Sequence, residues 1–187
     1  MTRLQYTEYL RGCEIIQTYG DEDREMVLIV LIQCTKKLLD QLNIKPVERL
    51  EADPLFSWHA NLMIVNRRKA VVLVNDKNRY VIVLYGLKAK DFKNLDQLIL
   101  QGIRETFLEE GIKKEIIDEF VSSQELIYTK TKDRTSVARM NKSCETLRYY
   151  DELLEGASLF QTEISKAASR YLVGDGPHEY IYPNGVV

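Results

Sequence analysis

One group of side chains that could do chemistry surrounds His59, between Trp58 and Asn61. A histidine in this position could act as a general base or carry a proton, while the asparagine orients a ligand. Catalysis also needs a partner within hydrogen-bond reach of the ring, and the sequence identifies none. The alternative is structural: a tryptophan and a histidine that pack beside a strand, with the indole N–H bonded to a backbone carbonyl.

A second group consists of six cations within about 27 residues of one another. They are Arg67, Arg68, Lys69, Lys88, Lys90 and Lys93. A cluster of this kind can bind phosphate groups, with an affinity that falls as the salt concentration rises. Charged turns that simply connect strands in water are the alternative. The group therefore predicts a binding site for nucleic acid or another phosphate ligand, or a set of solvated turns.

Metal and cofactor chemistry has little support in the sequence. Glu105 and Glu109 lie one helical turn apart and could share a metal, but cations alternate with them, as on a solvated helix face. The motifs GxGxxG, GxxxxGK[ST], HExxH and GxSxG are absent. We therefore predict no cofactor and no metal, and favour a binding or interaction protein. A small hydrolase or transferase that uses His59 remains an alternative.

Length and composition predict one domain in a reducing compartment. The chain has 187 residues, of which 45% are hydrophobic, and its formal net charge of −2 and pI near 5.8 argue against general DNA affinity. Its three cysteines are far apart, as expected of reduced thiols. The apolar residues 26–32 are too few to cross a membrane, which takes about 20 residues. These features predict a cytoplasmic protein with no membrane association.

Three runs of strand-forming residues position the candidate side chains. We predict strands at residues 62–65, 70–74 and 80–85, joined by polar turns at residues 66–69 and 75–78. In such a meander the first turn and the exit of the third strand share one end of the sheet. Trp58 and His59 lie at the opposite end, beside the second turn. The two candidate groups should therefore be separate.

The surrounding chain predicts an α+β fold, in which this antiparallel three-stranded meander is extended by one or two further strands and packed with several helices. Both faces of the meander are apolar, so helices or a second subunit should cover both. We divide the chain into an N-terminal helical arm or extension, residues 1–25, and a single domain, residues 26–187. An arm that reaches another copy would make the protein a homo-oligomer.

Three stretches carry a resemblance to a known family. They are IQCTKKLLDQLNIKP (residues 32–46), SWHANLMIVNRRKAVVLVNDKNRYVIVLYGLKAKDFKNL (residues 57–95) and DRTSVARMN (residues 133–141). They resemble an uncharacterised bacterial family, recorded as a domain of unknown function, that sometimes accompanies plasmid-type proteins of mobile elements. The resemblance implies no activity or cofactor. It implies a signature made of Trp58, Asn61, Asn66, Arg67, Arg68, Asn75 and Asp76.

Overall fold

A five-stranded sheet forms the centre of the protein in this computed structural model, which describes residues 28–48, 50, 52–122, 124–171, 173–174 and 180–183. The strands of the sheet are β1 (Leu28–Cys34), β2 (Ser57–Val65), β3 (Arg68–Asn75), β4 (Val81–Leu87) and β5 (Gln124–Lys130). The helices are α1 (Lys36–Leu42), α2 (Leu95–Glu109), α3 (Lys114–Ser122), α4 (Arg134–Tyr149) and α5 (Thr162–Ser169). A small separate sheet pairs β6 (Val173–Gly174) with β7 (Tyr180–Ile181). The predicted arm, residues 1–25, lies outside the described residues.

The strand order is β4-β3-β2-β1-β5. β2, β3 and β4 form the antiparallel meander, and β1 lies parallel to both β2 and β5. The α+β class is therefore confirmed. The sheet as a whole is mixed rather than an antiparallel meander, because long connections that contain helices bring β2 and β5 back in the direction of β1.

The meander's first hairpin is tighter than predicted. Two residues, Asn66 and Arg67, join β2 to β3, with φ angles of 46° and 62°. Both angles are in the left-handed region, as a two-residue type I′ hairpin requires. The strands are correspondingly longer, and β2 begins at Ser57. Trp58 and His59 are therefore paired inside a strand rather than placed before one.

Helices of the same chain cover both faces of the sheet, as the apolar pattern of β3 predicts. Val71 and Leu73 point into a core closed by α1, α2 and α3. Val72 and Val74, on the other face, pack in a core closed by α4 and α5. A second subunit is not required to bury either face.

Thr35 precedes α1 but does not cap it with its side chain. Its hydroxyl instead donates to Asn61 Oδ1 at 2.9 Å and so links the end of β1 to β2. Asp133 does cap α4, and its carboxylate accepts from the backbone N–H of Ser136 at 2.8 Å. Only three residues, 131–133, therefore separate the end of β5 from the first residue of α4.

Candidate functional site

Cations from two separate turns meet at one end of the meander. Antiparallel pairing sets Arg68 opposite Val65, and Lys69 opposite Leu87, so the β2–β3 turn lies beside the exit of β4. The turn and the exit of β4 together border an open pocket of about 490 Å³. Its lining consists of Arg67, Arg68, Lys69, Gly86, Leu87, Lys88, Ala89 and Gly156. We call this the basic pocket; four of its eight lining residues are cations and none is acidic.

Two of the four cations are held in position by neighbours. Arg68 Nη1 donates to the backbone carbonyl of Gly156 at 2.9 Å, and its guanidinium lies 5.9 Å from the centre of the Tyr85 ring. Lys69 Nζ bonds to Gln41 Oε1 at 2.5 Å and lies 5.3 Å from the centre of the Phe92 ring. Each cation uses only part of its donor capacity in these contacts, since a guanidinium has five N–H donors and an ammonium three.

Two of the six predicted cations lie outside the pocket. Lys90 and Lys93 are exposed in the short helical turn after β4 and do not line it. Asp91 lies between them, and its carboxylate accepts from the backbone N–H of Lys88 at 2.7 Å. The structure therefore brings together Arg67, Arg68, Lys69 and Lys88.

The opposite end of the meander holds His59, which is 1% exposed. Its Nδ1 lies 2.6 Å from Asp76 Oδ1, in the turn between β3 and β4. Gln33 Nε2, from the neighbouring strand β1, donates to Asp76 Oδ2 at 2.7 Å. Both carboxylate oxygens of Asp76 are thus engaged. We call these three residues, Gln33, His59 and Asp76, the histidine cluster.

Asn75 holds the turn that carries Asp76. It is 2% exposed, and its side-chain oxygen accepts from the backbone N–H groups of Lys77 and Asn78 at 3.0 and 3.1 Å. Its amide nitrogen donates to the carbonyl of Leu55 at 2.7 Å, which ties the turn to the start of β2. These bonds explain why Asn75, the last residue of β3, is buried and why Asp76 reaches His59.

Trp58 and Asn61 lie on opposite faces of β2. Trp58 is 2% exposed in the core beneath α2 and α3, as expected of packing. The prediction that its indole N–H donates to a backbone carbonyl is wrong, since Nε1 has no hydrogen-bond partner among the described residues. Asn61 donates to Cys144 Sγ at 3.7 Å, and burial is the main cause that raises the pKa of that thiol.

Sequence reasoning missed two members of the histidine cluster. The two-hairpin arrangement placed the second turn beside His59, and Asp76 is the only acid in that turn. That placement was a usable signal for the missing carboxylate. Gln33 carried no such signal, because its contact with Asp76 spans 43 residues and depends on the parallel pairing of β1.

The described residues contain neither a metal-binding cluster nor a membrane-spanning helix. No group of three or more histidine, cysteine, aspartate and glutamate side chains there could hold a metal ion. No helix among them is long and apolar enough to cross a membrane.

Fold and sites together define an α+β domain with a mixed sheet covered on both faces and polar clusters at its two ends. No curated protein and no solved structure matches the chain. The family model of DUF6933, a domain of unknown function, matches residues 31–186, and the chain belongs to this family. The match begins after the predicted N-terminal arm.

Proposed function

We propose that this is a binding protein whose ligand carries a phosphate group, and that the basic pocket holds that group. One observation carries the proposal. Arg67, Arg68 and Lys69 come from one turn and Lys88 from the end of another strand, yet they line a single pocket without an acid in its lining. Charged residues whose only role is to keep turns solvated are not expected to line one pocket together.

Pocket size and donor supply favour a small phosphorylated molecule. The pocket's volume of about 490 Å³ is within the range of small-molecule sites, roughly 300–1,000 Å³. Arg68 keeps donors beyond the one given to Gly156, and planar guanidinium groups suit phosphate oxygens. The contacts of Arg68 and Lys69 with neighbouring aromatic rings support a site whose cations are already oriented.

Backbone strain at Arg67 adds a second argument. The residue has a φ of 62°, a conformation in which glycine is the usual choice for the second position of a type I′ turn. A residue with a side chain costs about 1 kcal/mol or more there. A cation kept at a strained position is consistent with a task for its side chain.

Calorimetric titration with ADP and with inorganic phosphate at about 0.15 M salt, where charges more than about 8 Å apart are largely screened, tests the proposal. We expect Arg67→Gly to weaken binding about 10- to 100-fold, since a hydrogen bond to a charged group contributes about 1.5–3 kcal/mol. The same variant should unfold at an unchanged or slightly higher urea concentration, because glycine relieves the backbone. Arg67→Glu should weaken binding further.

Lys93→Glu is the matched control, since Lys93 is exposed and lies outside the pocket. Its charge reversal should change the affinity by less than about threefold, as distant surface charges are screened. Equal losses in Lys93→Glu and Arg67→Glu would mean that general charge, not the pocket, attracts the ligand. Absence of binding to ADP, phosphate and oligonucleotides would end the proposal.

Nucleic acid is the alternative source of the phosphate group. A gel-shift series with a short DNA duplex at several salt concentrations distinguishes nucleic acid from a small phosphorylated ligand. The logarithm of the duplex binding constant falls with the logarithm of the salt concentration, with a slope of about −0.9 for each phosphate neutralised. Duplex binding with no response to ADP would favour nucleic acid. A bacterial, mobile-element setting, which the family resemblance implies, would fit that outcome and stays a prediction.

Self-association and a cytoplasmic location are further parts of the proposal. Cys34 and Cys144 are free and buried, which supports a reducing compartment. The apolar faces of the sheet no longer support self-association, because helices of the same chain bury both of them. It now depends on the predicted arm, residues 1–25.

A further inference from the structure

The second ring nitrogen of His59 is the least explained polar atom in the histidine cluster. Nε2 is buried and has no hydrogen-bond partner among the described residues. Leaving a buried polar atom without a partner costs about 1–3 kcal/mol. Folded proteins keep few such atoms, and each calls for a structural or functional reason.

The contact with Asp76 decides which nitrogen of the neutral His59 ring carries the proton. An ionised carboxylate only accepts hydrogen bonds, so Nδ1, at 2.6 Å from Asp76 Oδ1, carries the ring proton. In the neutral ring Nε2 then has a free lone pair and accepts. Gln33, which donates to the other oxygen of Asp76, and the backbone N–H of Asp76, which donates to Ser57 O at 2.9 Å, hold this arrangement in place.

The ring lies near the N-terminus of α4, at the carboxyl ends of the parallel strands β1 and β5. His59 pairs with Gln33 near the end of β1, and β5 runs parallel to β1 and leads into α4. Hydrogen bonding from Ser136 lowers the pKa of Asp133, the cap of α4, and a positive charge on the His59 ring would act in the same direction, so the ring lies within electrostatic range of Asp133. Ligands in sheets with parallel strands usually bind at carboxyl ends of this kind.

Charge near the ring excludes the ligand class proposed for the basic pocket. Asp76 contacts His59 directly, and Asp133 lies within electrostatic range of the ring. An anion placed at Nε2 would meet both carboxylates. A neutral group with a hydrogen to donate would satisfy Nε2 without that repulsion.

We propose that His59 Nε2 is the acceptor of a second binding site, which takes a small neutral molecule with a hydroxyl group. The site is independent of the phosphate proposal and lies at the other end of the meander. Its occupant must be small, since His59 is 1% exposed. It is a binding site rather than a nucleophile–base pair, because no serine, threonine or cysteine among the described residues is hydrogen bonded to Nε2.

Nuclear magnetic resonance of the ring nitrogens tests the proposal on the full chain. The sequence contains two histidines, so ¹⁵N-histidine labelling gives two ring systems, which His59→Gln assigns. At alkaline pH, where the ring is neutral, we expect His59 to carry its proton on Nδ1 and none on Nε2. Ethylene glycol, the probe, should shift His59 Nε2 along a saturable curve, and formate, an anion of similar size, should not.

Asp76→Asn adds a readout that a purely structural role would not move. An asparagine can accept from or donate to Nδ1, so the ring tautomer is no longer set, and the affinity for ethylene glycol should fall about tenfold or more. The wild-type titration decides the proposal even if this variant does not fold. A proton on Nε2, equal responses to ethylene glycol and formate, or no saturable shift would each overturn it.

Discussion

Two serine hydroxyls of α5 close the free edge of the sheet at β4, and their removal is the sharpest test of the fold. The backbone N–H groups of Val81 and Val83 donate to Ser169 Oγ at 2.9 Å and Ser165 Oγ at 3.0 Å. Both hydroxyls donate in turn to carbonyls one helical turn earlier, at 2.8 and 2.6 Å. A helix thus supplies the acceptors that a sixth strand would otherwise provide.

The size of the effect follows from burial. Both serines are 0% exposed, and Val81 and Val83 are 2% and 1% exposed. Alanine at either position leaves one buried N–H without an acceptor, which costs about 1–3 kcal/mol. Alanine also favours the helix by up to about 0.5 kcal/mol relative to serine. We therefore expect each substitution to lower the free energy of unfolding by about 0.5–2.5 kcal/mol.

Urea denaturation measures this loss, and hydrogen exchange locates it. Ser165→Ala should lower protection of the Val83 amide first, and Ser169→Ala that of Val81. Ser143→Ala is the matched control, since Ser143 makes only a 3.4 Å bond to a carbonyl of its own helix, and should change stability by less than about 0.5 kcal/mol. If Ser165→Ala behaves like Ser143→Ala and leaves the Val83 amide protected, the edge-closing role is refuted.

Three further predictions concern the two ends of the meander. Gly156→Ala should weaken phosphate binding several-fold while the fold persists, because a Cβ there would lie 2.7 Å from Arg68 Nη1; titration with ADP measures this. Asn75→Ala should destabilise the chain by about 2–4 kcal/mol in urea, since it leaves several buried backbone groups of the turn beside Asp76 unpaired. Hydrogen bonding from Ser136 lowers the pKa of Asp133 in the folded protein. The ionised carboxylate therefore contributes fully to stability above the pKa of the unfolded chain, about 3.9, and this contribution is lost as the pH falls through the lower pKa of the folded state. Asp133→Asn should therefore reduce the loss of stability measured in urea below about pH 4.

Local pattern was sufficient for the meander and for the first helix. The continuous apolar runs around Val72 and Val83 predict strands buried on both faces, and both faces are covered. Leu38, Leu39 and Leu42, followed by Pro46, predict a helix at residues 36–42, and α1 has these bounds. These features depend on neighbours within a few residues, which a single sequence displays.

Parallel pairing was not predictable in the same way. β1 pairs with β2 and β5, which lie far along the chain, and no local pattern states which strands will meet. The same limit applies to single side chains. Thr35 has the residue type of a helix cap, but its hydroxyl bonds to Asn61, 26 residues away. A tertiary contact replaced the local one.

Self-association is the prediction whose physical basis the fold changes most. It began from two apolar sheet faces, which α1 to α5 bury within one chain, and the β4 edge is bonded to α5. What remains is the predicted arm, residues 1–25, which lies outside the family match and carries a helical stripe made of Tyr6, Tyr9, Leu10, Cys13 and Ile16. We therefore expect light scattering at micromolar concentration to give a dimer or larger species that becomes monomeric when residues 1–25 are deleted. If the protein remains oligomeric after the deletion, the interface lies on the domain, where Tyr149 is 79% exposed. A full-length chain with the mass of a monomer would contradict self-association altogether.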